Sequence, residues 1–249
     1  MTYTKQKYTI CSEEKPYLFI GSKIRGMLGY ALKNEVCINP TFKCEGCFST
    51  KQCLFYTLFE EKNKTHKYRL DYKLYSKKYR FSLLLFGELQ KESDTLYKAM
   101  INALQEYKNI EYKKKIKTLS FDGYSEHIKI KLLAPLRIKK NNRFATKDIE
   151  ILDILLSIYR RDLELQEKPY RRADLTLNYI TLSKTLSYQE LTRKSNRQDT
   201  KMYLGGLMGE FVLKNVSRDI YNLLKLGEVI GVGKSTVFGL GKIKIEGIE

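Results

Sequence analysis

The sequence predicts an α+β chain of two tandem ferredoxin-like domains, on three observations. The second half lays out strand, helix, strand, strand, helix, strand, the ferredoxin-like order. The first half lays out strand, helix, strand, helix, strand, with a cysteine-rich insertion at about residues 37–53. Between the halves stands the turn dipeptide Asp122-Gly123, which places the domains at 1–123 and 124–249. Each half of the 249-residue chain is then long enough to bury its own core.

The elements follow from periodicity. Tyr3–Cys11 alternates as a strand, and Gly21–Asn34 has helical spacing with Ile24, Met27, Leu28, Ala31 and Leu32 on one face. The opposite face carries Ser22, Arg25, Gly26, Gly29, Tyr30 and Lys33. Two interior glycines cost a helix about 1 kcal/mol each, so something is expected to approach that face closely. His66–Arg80 interleaves Lys and Arg with Tyr68, Tyr72, Tyr75 and Tyr79, a pattern suited to phosphates and stacked bases or to a solvated loop. Phe81–Gly87 reads as a buried strand. Ser93 caps a helix through Tyr107, and Glu111–Phe121 is a strand. In the second half Ile128–Ile138 is a strand and Thr146 caps a helix carrying Ile149, Leu152, Leu155, Leu156, Tyr159 and Leu163. A segment ending near Thr185 is compatible with a helix. Tyr188–Ser195 and Leu207–Lys214 read as strands, Ser217 caps a helix stopped by Gly227, and Val237–Ile245 is the last strand.

Lys and Arg number 46 against 28 Asp and Glu, a net charge of +18, which points to a polyanion partner. The hydrophobic share of 43% excludes a disordered basic tail. No apolar run reaches the ~20 residues of a membrane span, and Met1–Lys7 is too polar for a signal peptide, so a cytoplasmic protein is expected.

Cys37, Cys44, Cys47 and Cys53 fall in one short stretch, with Cys11 apart. The Cys44-Glu45-Gly46-Cys47 spacing, in a chain expected to be cytosolic, points to a structural tetrathiolate site for zinc or an iron–sulfur cluster. Disulfides and plain buried thiols are the alternatives. Gly231-Val-Gly233-Lys234-Ser235 is not a P-loop, because Glu228 occupies the position of its first glycine and Val237–Ile245 alternates like a strand. Five glycines from Gly227 to Gly241, with Lys234, Ser235 and Lys242, instead suggest a bare basic backbone whose amides approach a phosphate chain.

Several of these runs together resemble a known family. They are Arg193-Lys-Ser-Asn-Arg197-Gln198, Leu204-Gly205-Gly206-Leu-Met-Gly209, Leu226-Gly227-Glu228 and Gly231 through Gly241; upstream, Arg25-Gly26-Met-Leu-Gly29, Phe55-Tyr56, Phe59-Glu60 and Ala134-Pro135-Leu136-Arg137 also fit. The chain is similar to the CRISPR-associated repeat-cleaving endoribonucleases, RAMP-superfamily proteins of Cas family six. Tyr203 stands where a proline is expected. The resemblance implies two RAMP-type domains and metal-independent cleavage of precursor crRNA within the repeat. The products it implies are a 5′-hydroxyl and a 2′,3′-cyclic phosphate or 3′-phosphate, with no cofactor for catalysis.

Many members of that family use a histidine near the first helix. Here only His66 and His127 exist. His66, amid basic residues, is the candidate general acid or base, and His127 is read as structural or as part of the linker. Arg25, Tyr30 and Lys33 complete the catalytic candidates. RNA-binding candidates are Arg193, Lys194, Ser195, Arg197, Gln198, Gly231, Gly233, Lys234, Ser235 and Lys242. Period two puts Arg193, Ser195 and Arg197 on one face as a clamp, with Lys194 opposite. Repeat RNA is the expected partner, with subunits of a CRISPR effector complex and a homodimer left open. The alternatives are a non-cleaving RNA-binding subunit of such a complex and a zinc-ribbon DNA-binding protein.

Overall fold

Alternation builds the first sheet. In strand β1 (Thr2–Ile10) Thr4, Gln6, Tyr8 and Ile10 are buried on one side, while Lys5, Lys7 and Thr9 take the other. The computed structural model describes residues 1–11, 19–76, 78–107, 109–173, 178–195 and 200–248, with backbone alone at 193–195, 200 and 201. These residues form two compact units, 2–117 and 118–248 with Met1.

The N-terminal unit runs β1, α1 (Gly21–Val36), β2 (Tyr68–Tyr72), β3 (Tyr79–Phe86), α2 (Ser93–Ala103) and β4 (Ile110–Thr118). Its sheet order is β2-β3-β1-β4, with β1 and β3 antiparallel in the register Gln6↔Leu83 and Tyr8↔Phe81. Helices α1 and α2 pack together over Ile24, Leu28, Leu32, Leu96, Ala99 and Met100. A π-helical turn, Tyr56–Glu60, precedes β2. Strand β2 is absent from the sequence reading, which took this stretch as a basic, tyrosine-rich surface. Pairing with β3 instead buries Tyr68 and Tyr72, and Tyr79 on β3 is buried as well; Tyr75, between the strands, is exposed.

The C-terminal unit repeats the plan with β5 (Ile128–Leu136), α3 (Ile151–Leu165), β8 (Ile180–Gln189), β11 (Gly206–Lys214), α4 (Arg218–Ile230) and β12 (Ile243–Gly247). Its order is β12-β5-β11-β8. Two hairpins project from it, β6 (Lys139–Lys140) with β7 (Arg143–Phe144), and β9 (Thr192–Ser195) with β10 (Thr200–Tyr203).

Four expectations change here. The segment compatible with a helix up to Thr185 is, from Ile180 on, edge strand β8, which pairs on one side only; residues 174–177 lie outside the described residues. Helix α3 begins at Ile151, because Glu150 and Asp153 form a capping box that Thr146 does not. Helix α4 runs through Gly227 to Ile230 and stops at Gly231, whose φ is 81°. A Cβ on Gly227 would lie 2.5 Å from Ile158 Cδ1, so this glycine lets α3 and α4 approach. The last strand starts at Ile243, after a 3-10 turn over Thr236–Phe238. No described helix is long and apolar enough to cross a membrane.

Candidate functional site

In the N-terminal unit the spacing i, i+4, i+8 puts Arg25, Gly29 and Lys33 on one stripe of α1. A row of rings lies against that stripe. Phe55 and Phe59 stack at 5.3 Å between centroids, Phe59 is 6.4 Å from Tyr68, and Tyr68 is 6.0 Å from His66. The Arg25 guanidinium lies 4.4 Å from the Phe59 centroid and 5.6 Å from that of Tyr68, and it donates to Leu58 O. Lys33 Nζ lies 5.0 Å from the Phe55 ring. A Cβ on Gly29 would come within 2.7 Å of Phe59, which is the close approach its glycine allows. Arg25, Lys33 and His66 therefore share one cation–aromatic cluster, to which sequence reasoning did not assign Phe59 and Tyr68. Tyr30 stands apart, 76% exposed on the stripe that holds Gly26. His127 lies outside this cluster, at the start of β5, where its carbonyl accepts from Ser125 Oγ and Ile248 N–H.

The cysteines are free and half-buried at 37, 44, 47 and 53, while Cys11 is exposed. Gly46 (φ +68°) makes the turn in which Cys47 N–H donates to Cys44 O. Burial raises the Cys44 thiol pKa, and the Lys33 ammonium, donating to its sulfur, opposes the shift. Among the described residues no three His, Cys, Asp or Glu side chains stand together as a metal site. Within the loop Asn39 bonds to Thr41 and Lys43, and Lys33 of α1 donates to the Cys44 sulfur.

In the C-terminal unit the glycine-rich segment is tied inward. Gly231 N–H donates to Gly227 O, Val232 N–H to Gly241 O, Gly233 N–H to Ser157 Oγ, Lys234 N–H to Arg137 O and Gly241 N–H to Pro135 O. This corrects the reading of these amides as a phosphate cradle, since they are engaged within the protein. A Cβ on Gly233 would sit 2.4 Å from Arg137 O, and one on Gly241 1.8 Å from Val232 O, so these glycines serve close packing. Lys234 extends from this loop exposed, with Ser235 and Lys242 half-exposed.

Arg137, which the sequence reading noted only within a motif, joins three loops. It is buried, its Nη1 donates to Tyr203 O at 3.3 Å and to Gly205 O at 2.7 Å, and its own carbonyl holds Lys234 N–H. Its guanidinium lies 4.1 Å from the Phe144 ring centroid. Burial lowers its pKa, an effect that Tyr188 and Glu190 oppose. Of the predicted clamp, Arg193, Lys194 and Ser195 lie on β9, with Lys194 paired to Lys201 of β10. Arg197 and Gln198 lie outside the described residues.

Comparison with known proteins places this geometry. A family model described as CRISPR-associated endoribonuclease Cas6 matches residues 130–243, from β5 into β12. A separate family model, described as an N-terminal domain, matches residues 2–122. An uncharacterized protein of Archaeoglobus fulgidus is 24% identical over 266 residues, covering 91% of both chains. Thermus thermophilus Cas6 (TTHB231) in a product complex has a TM-score of 0.62 at 14% identity over 99% of each chain. A Cas6 (TTHA0078) product complex has 0.58 at 17% identity, over 99% of this chain and 100% of the other. At these identities the structural matches speak for the fold, and the fold they share is the tandem ferredoxin-like one. Over residues 130–243, most of its C-terminal unit, the chain therefore matches the family of CRISPR-associated Cas6 endoribonucleases.

Proposed function

We propose that this protein binds CRISPR repeat RNA and cleaves it within precursor crRNA, without a metal. The match of residues 130–243 to the endoribonuclease Cas6 domain carries this reading, and the charge of +18 agrees with it. In the reaction a base removes the ribose 2′-hydroxyl proton and the 2′-oxygen attacks the adjacent phosphorus. The bond from phosphorus to the 5′-oxygen breaks, and an acid protonates the leaving oxygen, giving a 2′,3′-cyclic phosphate and a 5′-hydroxyl. His66 and Tyr30 are the proton-carrying candidates. Arg25 and Lys33 are the cations to set against the phosphorane, and aromatic rings hold both in place. Arg193, Lys194, Ser195, Arg197, Gln198, Lys234, Ser235 and Lys242 are the candidate RNA contacts.

The test is cleavage of end-labelled repeat RNA from the host's own array in EDTA, beside RNA with a 2′-deoxyribose upstream of each cut. Specific cleavage that disappears with the 2′-deoxy substrate supports the reading. A second reading, a subunit that holds crRNA without cutting it, is favoured by the presence of only two histidines, neither of them on α1. Tight binding without a cut at stoichiometric protein selects it.

A further inference from the structure

Arg137 has an unusual set of partners for a buried cation. Carbonyl oxygens and an aromatic ring meet its charge, no carboxylate lies within ion-pair distance among the described residues, and its Nε finds no acceptor there. Its positive charge is presented outward through the ring that covers it. Phe144 is 37% exposed, although a phenylalanine gains most when buried. Lys139 adds a second cation 5.4 Å from the same ring. The hairpin that carries the ring is basic, with Lys139, Lys140 and Arg143 exposed around left-handed Asn141 and Asn142. Among the described residues only Lys140 of these three is neutralised, by Asp153 at 2.9 Å. Tyr203, whose carbonyl Arg137 fixes, is a second exposed aromatic side chain on the neighbouring hairpin, at 63%.

An exposed ring backed by a guanidinium and flanked by lysine and arginine suits a partner that is both aromatic and anionic. A nucleotide has both properties, with a flat base to stack and a phosphate to pair. The base must be unpaired, because a base within a duplex is already stacked on both faces. We propose that Phe144, backed by Arg137, is a stacking platform for one unpaired base of the bound RNA, and that Lys139 and Arg143 hold its flanking phosphates. The proposal rests on the repeat-RNA reading above and adds to it a single-stranded contact at the β6–β7 hairpin.

The test is equilibrium binding of synthetic repeat RNAs, intact or with a single abasic nucleotide at each position in turn. The proteins compared are wild type, Phe144→Leu and Phe144→Trp, with melting curves to check folding. In wild type one abasic position weakens binding roughly tenfold, the usual scale of a base–aromatic stack. Phe144→Leu keeps an apolar cover on Arg137, binds intact RNA roughly tenfold more weakly, and shows no further loss at that position; Phe144→Trp restores both. The platform is overturned if no abasic position weakens wild type, or if every abasic penalty persists in Phe144→Leu. If wild type does not bind intact repeat RNA at all, the RNA reading fails and the platform fails with it, an outcome distinct from the other two.

Discussion

The two units share one strand order, with the first strand beside the third and fourth, yet they distribute charge differently. On the sheet face away from its helices the C-terminal unit pairs its lysines, Lys129 with Glu210 at 3.1 Å and Lys131 with Glu246 at 2.7 Å. In the N-terminal unit Tyr112 meets Tyr8 and Lys114 meets Asp94, so the even positions of β4 face the helices and Lys113, Lys115 and Lys117 take the other side. Lys7 and Arg80 share that side, and none of these five cations forms an ion pair among the described residues. A common topology therefore positions the strands, while the outward residues decide where a polyanion is attracted.

The largest effect expected from breaking this contrast is on stability in the N-terminal unit. Arg69 is 1% exposed, and its Nη2 lies 3.7 Å from Asp71 Oδ1, with Lys5 3.5 Å from the other carboxylate oxygen. Arg69→Ala leaves that carboxylate with Lys5 as its ion-pair partner and is expected to lower unfolding free energy by about 3 kcal/mol, read by urea titration. A loss near zero would mean that this buried charge is not part of what holds β2. In the C-terminal unit the matching weak point is a glycine. Gly241→Ala forces φ +66° on alanine and drives a Cβ against Val232 O, so a loss of about 2–3 kcal/mol is expected by the same titration.

The charge contrast is tested by salt dependence. Lys113→Gln, Lys115→Gln and Lys117→Gln combined should flatten the slope of log affinity for repeat RNA against log salt by about 2, at roughly 0.7 per single-strand phosphate contact. The same change at Lys129 and Lys131 should leave the slope unaltered, because glutamates already meet those charges. Equal effects from the two sets would remove the distinction between the faces.

Much of this was legible in the sequence where apolar spacing is regular. The strand at residues 3–11, the helix faces of α1 and α2 and the capping role of Ser217 follow from pattern alone. Strand β2 was hidden because only five residues, Tyr-Arg-Leu-Asp-Tyr, alternate within a longer run of lysines and tyrosines, and Arg69 is buried against the usual preference of arginine. In strand β8 Ile180, Leu182, Leu186 and Tyr188 alternate with Thr and Ser, but Lys184 interrupts the apolar face and the residues are mostly exposed, so the pattern is weaker than that of a core strand. The glycine-rich run was visible, but its partners were not. That Gly233 and Gly241 answer to the backbone at Arg137 and Val232 depends on contacts about 100 and 9 residues away in the chain.

The smallest predicted effect separates the two uses of glycine in one helix. Gly29 is required by Phe59, but a Cβ on Gly26 would meet nothing within 4 Å, and this glycine sits exposed beside Tyr30 on α1. Helix propensity alone therefore predicts that Gly26→Ala stabilises the protein by about 0.5–1 kcal/mol. Measured beside cleavage, the substitution gives a second result. If stability rises and cleavage is unchanged, Gly26 has no contact to protect. If stability rises while cleavage falls and RNA binding holds, the bare backbone beside Tyr30 is where the substrate approaches α1, and the exposed phenol becomes a stronger proton-carrying candidate than the ring-packed side of the same helix.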